Sequence, residues 1–274
     1  MGTAAQSSAR IVAVIPARMN SSRFPGKMLA AATGRPLIEH VFERARTCDR
    51  LHEVIIATDD AQIEAAAARF GARCVRTRAD HPNGTSRIAE ASAQIDADII
   101  VNVQGDEPEL EPALIAAAID ALLADAGADM STVVSPFLPG EDPANPNIVK
   151  CVTTHAGSDR ASSDRADTGC HTPRALYFSR ALIPFPRDGT SGAAPLKHVG
   201  LYVYRRAFLP VFAALPPTAL ERTEQLEQLR ALEHGHAIAV AYGIARSYGI
   251  DTKEQYEAFV SRWRLQPQAS AQHL

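Results

Sequence analysis

Five side chains that suit an anionic ligand stand close together early in the chain: Arg18, Ser21, Ser22, Arg23 and Lys27. A guanidinium offers a planar fork to oxyanions and an ammonium a compact charge, so the set fits a polyphosphate. Gly26 permits close backbone approach, and loop amides can line phosphate oxygens. The spacing matches neither the dinucleotide glycine fingerprint nor the P-loop, which argues against a Rossmann dehydrogenase. A basic loop alone reads as solvated surface; following directly on an apolar run at 11–16, it reads as a phosphate loop. A second set is acidic. Asp106 lies in Gln104-Gly105-Asp106-Glu107, just after the apolar run 98–103, where a carboxylate facing a phosphate loop is a natural Mg²⁺ ligand. The alternative for Asp106 is a helix-capping or surface acid. Asp251 is a candidate second ligand, with N-cap of the last helix as an equal alternative.

Alternating elements must position these groups. Continuous apolar runs at 11–16, 54–57, 72–75, 98–103 and 130–135 read as buried strands. Helical spacing appears at 37–45, 60–70, 84–93 and 112–124, with Asp59 or Asp60 as a cap and Gly71 as a stop. Such alternation predicts an α/β fold, a mainly parallel central sheet flanked by helices, with a smaller strand-containing subregion in the second half. Ligands bind such sheets at the strand C-termini, so 16–27, 58–60 and 104–108 should meet at one rim. Further on, strands are expected at 148–152, 199–204 and 238–242. Helices are expected at 205–215, 220–234 and from Asp251 to near Trp263. Residues 157–172 read as a mobile loop.

The chain has 274 residues, 46% of them hydrophobic, and a net charge of −3. That is ample for a core and excludes a strongly basic nucleic-acid binder. No apolar run is long enough to span a membrane. Residues 1–9 read as a disordered leader without a signal sequence, 10–265 as one domain and 266–274 as a tail. Cys48, Cys74, Cys151 and Cys170 are too scattered for a zinc site or disulfide scaffold and fit reduced thiols in the cytoplasm.

Ordered motifs add a family. Arg18-x-x-Ser21-Ser22-Arg23-x-Pro25-Gly26-Lys27 resembles the signature loop of the CMP-Kdo synthetases, the 3-deoxy-manno-octulosonate cytidylyltransferases. The resemblance continues through Thr77-Arg78-Ala79-Asp80-His81 with Gly84-Thr85, Asn102-Val103-Gln104-Gly105-Asp106-Glu107-Pro108 and Ala175-Leu176-Tyr177-Phe178-Ser179-Arg180. It ends with Lys197-His198-Val199-Gly200, Leu226-Glu227-Gln228-Leu229-Arg230 and Asp251-Thr252, so it covers nearly the whole chain. The family pattern usually has an acid at the position of Ser86 and more often an aromatic at that of Met19, and its counterpart of the 157–172 loop is shorter.

The resemblance implies a nucleotide-diphospho-sugar transferase fold and transfer of CMP from CTP to the anomeric hydroxyl of 3-deoxy-D-manno-octulosonate (Kdo), releasing pyrophosphate. It makes Arg18, Lys27 and Asp106 catalytic, and Asp106 and Asp251 the Mg²⁺ ligands. Nucleotide binding falls to Arg18, Ser22, Lys27, Arg78, Asp80, Gly84, Thr85, Arg87 and Gln104. Cytosine presents an amino donor beside two acceptors, which loop carbonyls and an Arg can answer. Sugar binding falls to Gln104, Arg180, His198, Glu227 and Gln228. Arg180 suits the sugar carboxylate, and His198 could equally be a structural histidine. A homodimer serving lipopolysaccharide or capsule assembly is implied too. The rivals are the same chemistry on another acid sugar, such as 8-amino-Kdo, and a non-catalytic nucleotide-binding module.

Overall fold

The computed structural model describes residues 9–21, 23–154, 172–189, 192–246 and 249–265. Ser22, Cys170, most of the expected 157–172 loop, the leader through residue 8 and the tail lie outside the described residues.

The first half alternates as expected: β1 (Ile11–Ala17), α1 (Leu37–Arg46), β2 (Glu53–Thr58), α2 (Ala61–Arg69), β3 (Arg73–Arg76), α3 (Gly84–Ser92), β4 (Ile99–Asn102), α4 (Pro112–Ala124) and β5 (Met130–Pro136). The second half adds β6 (Lys150–Thr153), β7 (Ala175–Ser179), β8 (Leu196–Arg205), α5 (Phe208–Ala214), α6 (Ala219–Glu224), α7 (Gln228–Glu233), β9 (Ile238–Tyr242) and α8 (Lys253–Leu265). The sheet runs β3-β2-β1-β4-β8-β5-β9. Its strands are mostly parallel, with β8 inserted antiparallel between β4 and β5. Strands β6 and β7 form a small antiparallel annex on β8.

The period of two in β1 builds both cores. Ala13 and Ile15 face one side, with Ile38 and Val41 of α1 and Ile115 and Ile119 of α4. Val12 and Val14 face the other, with Ile88 of α3 and Phe208 and Phe212 of α5. A strand covered on both faces has to be apolar at every position, which is why 11–15 reads as an unbroken run. A smaller cluster of Leu37, Ile250, Tyr256 and Phe259 docks α8 on α1.

One expectation is corrected. The single helix at 220–234 is two helices, because Gln225 takes a left-handed backbone (φ 54°) and breaks the turn between α6 and α7. No element was expected at 175–179, which forms the strand β7, with Ala175, Phe178 and Ser179 buried and Leu176 exposed.

Candidate active site

The loop after β1 is closed by Gly26, whose φ of 72° only glycine adopts readily and whose amide donates to the Met19 carbonyl at 3.0 Å. A single 3-10 turn at Lys27–Leu29 then carries Lys27 inward. Its side chain is buried, and its Nζ donates to Asp106 Oδ2 at 2.7 Å, the Ile250 carbonyl at 2.9 Å and Asp251 Oδ1 at 3.3 Å. Arg23 reaches the other Asp251 oxygen at 2.9 Å.

Asp106 arrives from the turn after β4. That turn crosses the first loop so closely that a Cβ on Gly105 would lie 3.0 Å from the Pro16 carbonyl oxygen and 3.2 Å from the Met28 side chain. Asp251 arrives from the segment before α8, and the Ile250 amide donates to the Asp106 carbonyl at 2.8 Å, tying the two acid-bearing segments together. Asp251 does not cap α8. The Gln255 amide donates to Thr252 Oγ1, and Gln255 Oε1 accepts from the Asp251 and Thr252 amides. The Asp251 carboxylate is therefore left to face cations.

These groups line a cavity of about 230 Å³ that also includes Arg18, Ser21, Gly84, Arg87 and Gln104 in its walls. The rim expected from the strand ends is thus formed by the first and third of its loops. The second contributes from behind: Asp59 pairs with Arg87 at 2.8 Å. Arg87 is buried and also donates to Thr77 Oγ1 at 2.6 Å and the Arg78 carbonyl, so it braces the 77–83 loop as well as lining the cavity.

A second cavity of about 110 Å³ adjoins the first, and Gly84 and Gln104 belong to both walls. Tyr202 and Tyr204 of β8, Asn102, Thr85, Phe212, Glu227 and Gln228 complete it. The break at Gln225 puts Glu227 immediately before α7, facing the start of α3. Its carboxylate accepts from Asn83 Nδ2 and, at 2.7 Å, from Thr85 Oγ1. Burial raises the Glu227 carboxyl above the usual range. Gln228 Nε2 is buried with no hydrogen-bond partner among the described residues. A buried donor without a partner costs free energy unless a ligand supplies an acceptor.

Several expected site residues stand elsewhere. Arg78 and Asp80 pair with each other at 3.4 Å on the exposed face of their loop and line neither cavity. His81, held by Glu90, and Asn83 line the first cavity instead. Thr85 lines the second cavity, not the first. The Arg180 guanidinium donates to the carbonyls of Glu224 at 2.7 Å, Pro146 at 3.1 Å and Gln225 at 3.4 Å, which turns it away from both cavities. His198 Nε2 shares a hydrogen bond with Thr132 Oγ1 at 2.9 Å, its ring packs edge-on against Phe178, and burial pushes its pKa down to about 3. It is a neutral structural histidine in this arrangement and lines neither cavity.

Lining residues not singled out from sequence include His81, Asn83, Asn102, Tyr202, Tyr204 and Phe212. A signal for the tyrosines existed. On β8 the positions 198, 200, 202 and 204 share one face by period two, so Tyr202 and Tyr204 were readable as neighbours on the side that packs with α3 and α5.

The cytidylyltransferase family model matches residues 12–238. The chain belongs to the cytidylyltransferase family. A 3-deoxy-manno-octulosonate cytidylyltransferase of Syntrophobacter fumaroxidans is 49% identical over 92% of this chain and 96% of its own length. A protein of the same name from Geobacter metallireducens is 46% identical over 79% and 83%. The solved structure of a CMP:2-keto-3-deoxy-manno-octonic acid synthetase complexed with CTP superposes with a TM-score of 0.84 at 36% identity, covering 94% of this chain and 100% of that one. In this cytidylyltransferase the matched region takes in the cation loop, Asp106 and the wall shared by the two cavities. Asp251 lies beyond the matched residues and joins the site through Lys27.

Proposed function

We propose that the protein transfers CMP from CTP to the anomeric hydroxyl of Kdo, releasing pyrophosphate and supplying activated sugar acid for lipopolysaccharide assembly. The observation that carries this reading is the pair of adjoining cavities. One is lined by loop cations and two carboxylates; the other is lined by amide, hydroxyl and carboxylate groups suited to a polyol. Their shared wall brings an acceptor hydroxyl and a triphosphate together, and proximity of that kind is the main source of rate in such transfers.

Arg18 and Lys27 stabilise charge on the phosphates, with Ser22 as a neutral donor. Gly84, Arg87 and Gln104 shape the nucleotide side. Glu227, Gln228 and Gln104 receive sugar hydroxyls, joined by Tyr202. Arg180 binds the sugar carboxylate only on leaving its carbonyl partners, and Arg78 and Asp80 reach the base only if their loop turns inward.

Asp106 and Asp251 suit Mg²⁺. Their oxygens, with the Ile250 carbonyl, already converge on one cation, the Lys27 ammonium. No cluster of three or more His, Cys, Asp or Glu occurs among the described residues. The protein therefore offers two carboxylates, and water and phosphate oxygens would complete an octahedral shell. When bound, the ion supplies charge for the phosphates and lowers the pKa of a nearby hydroxyl.

The protein acts as a homodimer in the cytoplasm on this reading. Exposed apolar side chains at Leu176, Phe185, Tyr242 and Ile244 are available for a second copy. No helix among the described residues is long and apolar enough to cross a membrane. The test is pyrophosphate release with CTP and a panel of acid sugars including Kdo and 8-amino-Kdo. Release with Kdo above all others is expected; preference for another acceptor, or release with none, defeats the assignment.

A further inference from the structure

The wall between the two cavities is the start of α3. Gly84 packs against the first loop so tightly that a Cβ there would lie 3.3 Å from the Pro16 ring. Asn83 lines the nucleotide-side cavity, and its Oδ1 caps α3 by accepting from the Ser86 amide at 2.8 Å. The same side chain turns its Nδ2 to Glu227 across 144 residues of sequence, and Thr85 Oγ1 holds the other Glu227 oxygen at 2.7 Å. Tyr204 and Asn102 stand beside Thr85 in the wall of the second cavity. Three consecutive residues thus touch the nucleotide side, the shared wall and the acceptor-side carboxylate.

We propose that Asn83 and Thr85 are positioning residues that couple the two half-sites, fixing the Glu227 carboxylate for an acceptor hydroxyl only while the start of α3 is seated against the nucleotide. The proposal rests on the two-substrate reading above. Glu227 has no other side-chain donor among the described residues, so its orientation is set from α3 and from nowhere on its own helix. A nucleotide that orders the 83–85 segment orders Glu227, and an acceptor that loads Glu227 steadies the same segment. By linkage the two ligands then strengthen each other by one common factor.

Calorimetric titration with a non-reactive α,β-methylene analogue of CTP, with and without saturating Kdo, reads that factor. The wild type is expected to bind the analogue at least about fivefold more tightly when Kdo is present. Thr85→Val deletes one donor, and Asn83→Ser keeps a helix-capping hydroxyl while losing the reach to Glu227. Both are expected to bring the factor to within about twofold of unity, and Thr85→Ser, which keeps the hydroxyl, to retain it. Thermal melting of each variant checks that α3 remains capped. Coupling that is absent in the wild type, or that survives in both Thr85→Val and Asn83→Ser, overturns the proposal while leaving the enzyme assignment standing. If Kdo does not bind the wild type with or without the nucleotide analogue, the assignment falls and the proposal with it.

Discussion

Replacing Lys27 with Met removes the ammonium that bridges Asp106 and Asp251. The ammonium sits 2.7 Å from Asp106 and 3.3 Å from Asp251, with 8% side-chain exposure for the lysine against 25% and 41% for the two acids. Removing one partner of a fully buried ion pair costs about 3–5 kcal/mol. The acids here are partly solvated and Asp251 keeps Arg23, so screening lowers the expected loss to about 2 kcal/mol. For a chain of this size that corresponds to a fall in Tm of roughly 4–8 °C. The freed carboxylates also acquire the capacity to hold a divalent cation, and a ligand at a hundred times its Kd restores about 2.7 kcal/mol. Thermal unfolding with and without Mg²⁺ therefore separates the contributions: a lowered Tm in chelator, largely recovered in Mg²⁺. In steady-state assays the variant should lose at least about a hundredfold in kcat/KM for CTP, about 2.7 kcal/mol of transition-state stabilisation. A Tm unchanged in chelator together with an unchanged kcat and KM would refute the reasoning.

Asp106→Asn should reduce turnover by more than about a hundredfold while changing CTP affinity far less, a loss confined to the transition state; near-normal pyrophosphate release by the variant would remove Asp106 from the chemistry. Gly105→Ala places a methyl against the Pro16 carbonyl and Met28, so the Asp106 turn must shift. A loss of activity with a Tm drop of only a few degrees is expected, and full activity would show that the turn tolerates the shift. His40 is buried against Phe259 and Trp263, and burial, aided by Arg35, lowers its pKa to about 4. The unfolded chain therefore takes up the proton first. Stability from this group is complete above pH 6.5 and is lost as pH falls towards 4. Urea unfolding across that window should show a shallower pH dependence in His40→Phe than in the wild type, and parallel curves would contradict the shift.

Local pattern revealed what local physics determines. The run at 11–15 is apolar at every position because β1 is covered on both faces, and Asp106 was legible because it follows directly on such a strand. Lys27 was legible as a site cation, but its partners Asp106 and Asp251 are 79 and 224 residues away, beyond the reach of any spacing rule. The same distance explains Arg180: its type suits a carboxylate, yet three carbonyls from two remote segments occupy it. The break at Gln225 was hidden because a non-glycine residue there adopts a positive φ, against its own preference. For Asp251 the sequence left ligand and helix cap equal, and the cap alternative falls away because Thr252 and Gln255 take that role. The second cavity was the least legible part, since it joins α3, β8 and α7 and shows only in three dimensions.

The central claim is the bond that forms. Phosphorus NMR of the purified protein with CTP, Kdo and Mg²⁺ tests it directly. Equal amounts of pyrophosphate and a new phosphodiester resonance from a CMP-sugar are expected, both requiring Kdo. Conversion of CTP without Kdo, or with Kdo but without the phosphodiester signal, would contradict it.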